Sequence, residues 1–433
     1  MRIGNRLDEY VASREPETRS ALLLAESARR LKVPKEALEE IVKPYTVYIQ
    51  RLPVGMLGTV VNVMSGIVLH NRARGPYKGG IRIAPDVDLW ETTELARLMT
   101  IKTALADIEL GGGKSGISID LRRLYTHMSR EGRFNGAYRE FERIAKGDVM
   151  EEFTDHFGWL FRDHVYIPAP DMGAGGAEMV RIYNALRDPA AVTGKPDGIE
   201  GWLPGREEAT GYGVYYAILK DMEKKGTAPE DCTVALQGFG KVGAHAAQFL
   251  HDHGARVVAV TDVTGGAQDP AGLDVPRLRA HVDAKGGLKG APAKSITNKE
   301  LFRLKTDYLI PAARGHAIDK TNAKSVRARV VVEAANMPVT YDAMRIMEGR
   351  GVEILPDAYA NAGGVIASSL EYRQALGGVK FTKDMTLAHI RERFDDMHDQ
   401  IATRMKRRRT MVEASMDVAL GRIYETMLSR SLL

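Results

Sequence analysis

The chain has 433 residues, enough for about two domains, and its 44% hydrophobic content can fill large cores. Its 61 basic and 56 acidic residues leave a net charge of +5 with no basic run longer than KRRR (406–409), which reads as a solvated helical face or an interface and gives no nucleic-acid signature. One cysteine, Cys232, excludes an internal disulfide and a cysteine-rich metal site, MRIGNRLDEY lacks a signal-peptide core, and no stretch reaches 18 uninterrupted apolar residues, so a soluble, cytoplasmic protein without membrane partners is expected.

In chain order, EPETRSALLLAESARRL and VPKEALEEIVK (15–43) read as two helices, with Pro34 in a first turn and Pro44 as a stop. TVVNVMSGIVLH (59–70) is rich in β-branched residues and reads as a strand or hairpin. DLWETTELARLMTIKTALADI (88–108) is helical, with Leu95, Leu98, Met99, Lys102 and Leu105 three and four apart, so Lys102 shares the apolar side. A snorkelling stem would explain such a lysine equally well. Residues 122–165 read as helical and charged, with no chemistry attached. REEATGYGVYYAILKDMEKKG (206–226) is a long helix, and Thr233–Thr261 a βαβ unit with strands Thr233–Gln237 and Arg256–Thr261. Short strands are expected in 307–312, 329–336 and 352–357, and helix from 384 to 429. Strands alternating with helices imply a parallel sheet.

Two glycine-rich stretches need chemical reading. IELGGGKSG (108–116) ends like a phosphate-binding loop, yet Ile108 stands where that motif needs its first glycine. The following GISIDL alternates as a strand, with no helix to hold a phosphate. Lys114 in this glycine loop therefore needs another role, or is a solvated lysine in a turn. GFGKVG is different: Gly238, Phe239, Gly240, Lys241, Val242 and Gly243 follow an apolar strand and open a helix, the context a dinucleotide fingerprint demands. Asp262, 19 residues after Gly243, ends the second strand. A carboxylate there accepts from ribose hydroxyls and favours NAD over NADP, unless neighbouring cations offset it. Asn336 and Asn361 follow later strands, where they face a ligand or cap turns.

Lys78 in RGPYKGGIR, Lys102 and Lys114 fall within 37 residues, and Asp171 in VYIPAPDMGAGG stands before another glycine-rich loop. Clustered ammoniums beside one carboxylate, with a pyridine-nucleotide fold, point to a dehydrogenase for a dianionic substrate. A lysine crowded by like charge and partly desolvated has a lowered pKa and can serve as a base near neutrality.

HNRARGPYKGGIR, MTIKTALADIELGGGKSGI, PAPDMGAG, GREEATGYGV, GFGKVG and NAGGVIASSLEY, in this order from about residue 15 to the C-terminus, resemble the glutamate dehydrogenase branch of the Glu/Leu/Phe/Val dehydrogenases. The resemblance implies an α/β protein of two domains. Residues 1–190 plus 408–433 would form an N-terminal α/β substrate-binding and oligomerisation domain, and 191–407 a doubly wound Rossmann dinucleotide-binding domain behind a cleft. It implies NAD or NADP as cofactor, no metal, and a homo-hexamer interconverting glutamate with 2-oxoglutarate and ammonium. It further implies that Lys114 activates the water that attacks the imine and that Asp171 shuttles protons at the substrate nitrogen. Lys102 would bind the α-carboxylate, and Lys78 with Ser368 the side-chain carboxylate. Arg206, Thr210 and Asn361 would lie around substrate and nicotinamide, and Asn336 near the nicotinamide ribose.

Ser115 replaces a usual glycine, PAARGHAI (311–318) and EAAN depart from the family's usual forms, and 122–165 is irregular. These departures touch cofactor preference and subunit contacts more than the reaction. An apolar substrate would leave the Lys78 ammonium buried without a partner, so glutamate is expected over leucine, valine or phenylalanine. The alternatives are such an apolar-substrate relative and a non-catalytic paralogue that binds nucleotide and 2-oxoglutarate.

Overall fold

The computed structural model describes residues 18–405 and 409–433; residues 15–17 of the first expected helix and 406–408 of the basic run lie outside the described residues. The chain divides into two compact units. One runs through Pro204 and includes Ser368–Thr382 and Leu420–Leu433; the other comprises Gly205–Ala367 and Lys383–Ala419. Relative to the expected boundaries, 191–204 and 368–382 group with the first unit and 409–419 with the second. A buried ion pair between Lys195 and Glu371 ties the first two of these segments together.

The first unit contains α1 (Arg19–Leu31), α2 (Lys35–Val42), β1 (Thr46–Met56), β2 (Thr59–Asn71), β3 (Tyr77–Ala84), α3 (Leu89–Leu105), β4 (Gly111–Ser118), α4 (Leu121–Arg130), α5 (Tyr138–Arg162), β5 (Tyr166–Pro170) and α6 (Gly176–Leu186). Its sheet has the order β1-β2-β4-β3-β5. β1, β2 and β4 run antiparallel in turn, while β3 lies parallel to both β4 and β5. Side chains alternate between the faces. On one face Ile81, Ile83, Ile117 and Tyr166 join Phe141, Phe153, Phe157 and Phe161 of α5 in a single apolar core. The segment 122–165, chemically silent in the sequence, is thus the backing of this sheet. The other face receives α3, which starts on the Asp88 cap (Glu91 N to Asp88 Oδ1, 2.7 Å) and is buried on nearly every side. Lys102 is therefore enclosed and does not snorkel to solvent.

His70 is fully buried behind α3. Its Nε2 lies 3.0 Å from the Val42 carbonyl, which can only accept, so this nitrogen carries the proton. Nδ1 faces the Thr100 hydroxyl at 2.8 Å. Burial, reinforced by the Arg97 guanidinium, lowers the imidazole from 6.5 to about 3. The unfolded chain consequently takes up this proton first as pH falls, and the fold loses stability progressively between 6.5 and about 3. This one group should cost about 3 kcal/mol between pH 7 and pH 4. Thermal unfolding at both pH values, compared between wild type and His70→Leu, checks it: the variant should show that much less acid destabilisation.

The second unit contains α7 (Ala209–Lys225), β6 (Thr233–Gln237), α8 (Lys241–Asp252), β7 (Arg256–Thr261), β8 (Gly266–Gln268), α9 (Val275–Lys285), β9 (Lys294–Ser295), α10 (Asn298–Leu301), β10 (Tyr308–Pro311), β11 (Val330–Val332), α11 (Tyr341–Glu348), β12 (Glu353–Leu355) and α12 (Asp357–Ala360). The chain continues through α13 (Gly363–Gly377), α14 (Lys383–Met405) and α15 (Met411–Ser429). The sheet order is β12-β11-β10-β6-β7-β8-β9, parallel from β12 to β7 and antiparallel at β8 and β9. From β6 the chain goes to β7 on one side and later to β10 on the other. That reversal is the switch point at which doubly wound sheets take their ligands.

The expected continuous helix over 384–429 is two helices. A reciprocal cap starts the second: Thr410 N donates to Glu413 Oε2 (3.2 Å) and Glu413 N to Thr410 Oγ1 (3.3 Å). Arg409 lies in this break, outside any helix, and pairs with the buried Asp417 carboxylate instead of facing solvent. Among the described residues, no helix is long and apolar enough to cross a membrane.

Candidate active site

The triple glycine is no loop. Gly111, Gly112 and Gly113 open strand β4, between β2 and β3, and are buried. Their lack of side chains is what lets neighbouring backbone close in. A methyl group on Gly111 would collide with the Asn71 carbonyl, on Gly112 with the Thr100 hydroxyl and amide, and on Gly79 of β3 with the Gly113 carbonyl. One added at Gly80 would lie 2.7 Å from Cβ of Asp171. Gly80 thus leaves the space through which Asp171, just past the end of β5, reaches the Lys114 ammonium across β3.

Lys114 and Asp171 form a direct ion pair. Arg82, from the end of the RGPYKGGIR stretch, sits beside them with Nη2 3.7 Å from Asp171 Oδ1, and its other arm pairs with Glu91 of α3. The Asp171 carboxylate is aimed by its own turn: Oδ1 accepts from Met172 N at 2.6 Å, and Asp171 and Ala174 exchange backbone hydrogen bonds of 3.0 Å. Burial is the largest influence on Lys114 and holds its ammonium well below the ordinary lysine range. Arg82, Lys102 and Lys78 push the same way, with Glu91 opposing them. The other two lysines singled out in the sequence therefore both act electrostatically on Lys114. Lys78 stands opposite Gly112 in the β3–β4 register, and Lys78, Lys102 and Lys114 are 1%, 5% and 3% exposed. Ser368 is buried on α13, in the same unit.

Arg82 and Glu91 were not singled out by sequence reasoning. Arg82 ends a quoted stretch, but only the fold aligns it with Asp171. Ser115, unusual in its motif, donates to the Tyr166 hydroxyl at 2.9 Å, which in turn donates to the Gly79 carbonyl at 3.0 Å. The serine thus replaces a gap with a bond between β4 and β5, directly behind Lys114. Close packing at Gly112 makes a further test available. Gly112→Ala should push β4 off α3, displace Lys114 and lower turnover by about 10²-fold, with a stability loss of about 1–3 kcal/mol. Steady-state rates and thermal unfolding of the purified variant check both parts.

The second unit holds the glycine turn. Gly238 has φ +97°, and a methyl there would lie 2.8 Å from Ala313 N. A methyl on Gly243 would collide with the Gly238 carbonyl. Around Gly240 a methyl would meet nothing within 4 Å, and this residue caps α8 without a side chain. The turn is therefore tight where the backbone must fold and open where N–H groups would meet a diphosphate. Phe239 is buried, whereas Lys241 is exposed 3.5 Å from Glu207, and Val242 begins the helix beside Gly211 of α7. Asn361 donates to the carbonyls of Ala334 (3.2 Å) and Ala335 (3.1 Å) and to Oδ1 of Asn336 (3.3 Å). Its own Oδ1, and Oε1 of Gln237 at the end of β6, are buried acceptors with no donor among the described residues. A cradle with open N–H donors and orphaned acceptors fits a dinucleotide bearing a carboxamide. Thr210 and Arg206 flank Gly364 at the start of α13. The Asp262 carboxylate is largely engaged by its own loop: Oδ1 accepts from Thr264 N, Thr264 Oγ1 and Gly265 N at 2.6–3.0 Å, and Oδ2 from Leu288 N at 2.9 Å.

Residues 44–188 match the model of the Glu/Leu/Phe/Val dehydrogenase dimerisation domain, and residues 201–431 that of the Glutamate/Leucine/Phenylalanine/Valine dehydrogenase domain. The chain belongs to the Glu/Leu/Phe/Val dehydrogenase family. It is 38% identical over 359 residues to glutamate dehydrogenase A2 of Halobacterium salinarum, covering 81% of this chain and 82% of that one. With the catabolic NAD-specific glutamate dehydrogenase RocG of Bacillus subtilis it shares 35% identity over 376 residues, 85% of this chain and 84% of the relative. The solved hetero-hexameric glutamate dehydrogenase of Thermus thermophilus, in a leucine-bound form, superposes with a TM-score of 0.85 at 30% identity, covering 96% of this chain and 99% of that one. Within this Glu/Leu/Phe/Val dehydrogenase, the lysine–aspartate pair and the glycine turn each sit inside the segments the family shares.

Proposed function

We propose that the chain is an NAD(P)-dependent glutamate dehydrogenase that reversibly converts L-glutamate to 2-oxoglutarate and ammonium. The observation that carries this reading is the buried Lys114–Asp171 pair with Lys78 and Lys102 in the same electrostatic cluster. A substrate with two carboxylates supplies the charge that two such ammoniums take up best. Lys102 binds the α-carboxylate, and Lys78 binds the side-chain carboxylate with the Ser368 hydroxyl. A bound nicotinamide would supply the acceptor for the hydride that leaves Cα. The depressed Lys114 amine takes a proton from the water that adds to the resulting iminium, and Asp171 moves protons to and from the substrate nitrogen. Arg206, Thr210 and Asn361 surround substrate and nicotinamide, and Asn336 lies at the nicotinamide ribose. Gly238, Phe239, Gly240, Lys241, Val242 and Gly243 cradle the diphosphate, and Asp262 stands at the adenosine ribose.

NAD is the favoured cofactor, and the working assembly is a cytoplasmic homo-hexamer. The test is a panel of L-glutamate, leucine, valine and phenylalanine, each with NAD and with NADP, monitored at the reduced nicotinamide. Glutamate with NAD is expected to give the highest kcat/KM; faster turnover of an apolar amino acid overturns the reading.

A further inference from the structure

Helix α13 carries Ser368, and three residues further on it carries Glu371, whose carboxylate is completely buried. Residues three apart lie on adjoining parts of one helix face. Glu371 Oε1 is 2.9 Å from the Lys195 ammonium and accepts from Lys195 N at 3.2 Å, while Oε2 accepts from Gly194 N at 2.7 Å. Lys195 Nζ also donates to the carbonyls of Pro189 (2.8 Å) and Val192 (2.6 Å). All three ammonium protons and both carboxylate oxygens are thereby used.

The loop that receives Glu371 is stitched to the strand leading to Asp171. Thr193 N donates to the Pro168 carbonyl of β5 at 3.0 Å, and Gly194, at φ +81°, packs so tightly on Pro170 that any side chain would overlap its ring. A second link runs parallel to the first. The Tyr372 hydroxyl lies 3.2 Å from His164 Nδ1, and His164 Nε2 lies 2.7 Å from Asp188, just before β5 and just after α6 respectively. Gln374 adds a third, donating to the Trp202 carbonyl at 2.7 Å. Three side chains within four residues of α13 thus fasten it to this unit, two of them to the segments that adjoin β5.

A buried ion pair adds little stability over an apolar pair of equal volume, so stability alone is a poor reason for one here. Its directional bonds do fix where the helix stands along its axis and about it. We infer that Lys195 and Glu371 are positioning residues that set the Ser368 hydroxyl on α13 against Asp171 at the end of β5. Through Ser368 they govern recognition of the substrate's side-chain carboxylate. This rests on the glutamate dehydrogenase reading above, and it concerns residues that touch neither substrate nor cofactor in that reading.

The test replaces the pair by apolar residues of similar size, Lys195→Met with Glu371→Leu, which removes both charges together. In the full-length protein the double variant should unfold within a few degrees of wild type. Its KM for glutamate should rise at least about tenfold, with a smaller change in kcat and unchanged NADH binding by fluorescence. The decisive comparison repeats the exchange on a Ser368→Ala background, where the further rise in KM should shrink to about twofold or less, because the group being positioned is gone. Tyr372→Phe, a milder change, should raise the glutamate KM about two- to threefold. An equal KM penalty with and without Ser368, or a KM that does not move in a folded double variant, overturns the inference. Wild type with no preference for glutamate overturns the functional reading and this inference with it; a wild-type preference with an unmoved KM in the variant overturns this inference alone.

Discussion

Lys114→Ala should lower glutamate turnover by at least about 10³-fold, because it removes a general base that typically contributes 10²–10⁴-fold, together with the partner of Asp171. Cofactor binding should survive, since the glycine turn, α8 and the Asn336–Asn361 pair belong to the other compact unit. The fold should survive as well. Burial and the three neighbouring cations disfavour the charged ammonium, so in the folded state it gives up protons more readily than in the unfolded chain. A group with a lowered lysine pKa costs stability at neutral pH; its removal relieves that cost, which offsets the loss of the Asp171 pair, and Arg82 remains beside the Asp171 carboxylate. A fluorescence titration with NADH and a single-turnover assay on the purified variant check both halves. A variant retaining most of its rate would show that the proton is taken by another group.

The second large effect concerns Lys78. Lys78→Met keeps the length of the side chain and its burial but leaves the substrate's distal carboxylate without its cation. Truncating one member of a buried charge pair costs about 2–5 kcal/mol, so kcat/KM for glutamate should fall by about 10³-fold. An amino acid with an unbranched apolar side chain, such as norleucine, should lose nothing and should gain relative to glutamate. Full kinetic constants for both substrates in both proteins check this. A uniform loss on the two substrates would mean that Lys78 holds the sheet or the α-carboxylate and does not read the side chain.

Legibility differed by element for physical reasons. Both strands of the βαβ unit from Thr233 to Thr261 could be placed to the residue, because an apolar strand, a glycine turn and an amphipathic helix each carry their own signal. Strand β4 was half hidden. Gly111–Gly113 have no side chains to alternate, so the sequence there resembles a turn even though all three are buried in the middle of a sheet. α3 was legible as a helix, but its enclosure was not, since spacing at three and four reports a face and says little about the opposite one. The long reading over 384–429 overlooked the Thr410–Glu413 capping box, a local signal that periodicity overrode. At the site, the lysines and Asp171 stood out by composition and company. Arg82 and Glu91 did not, because a cation and an anion nine residues apart become a pair only when strand β3 and helix α3 are docked. The Lys195–Glu371 pair, 176 residues apart, has no local signature at all.

Burial and like charge hold the Lys114 amine ready to accept a proton. The most direct measurement is the pH dependence of its acetylation by a small reagent, followed residue by residue by mass spectrometry with exposed Lys43 as internal reference. The midpoint of the rate profile reports ionisation independently of access. A Lys114 midpoint well below that of Lys43 is expected; a midpoint at or above it would mean that the amine is held protonated and is no base.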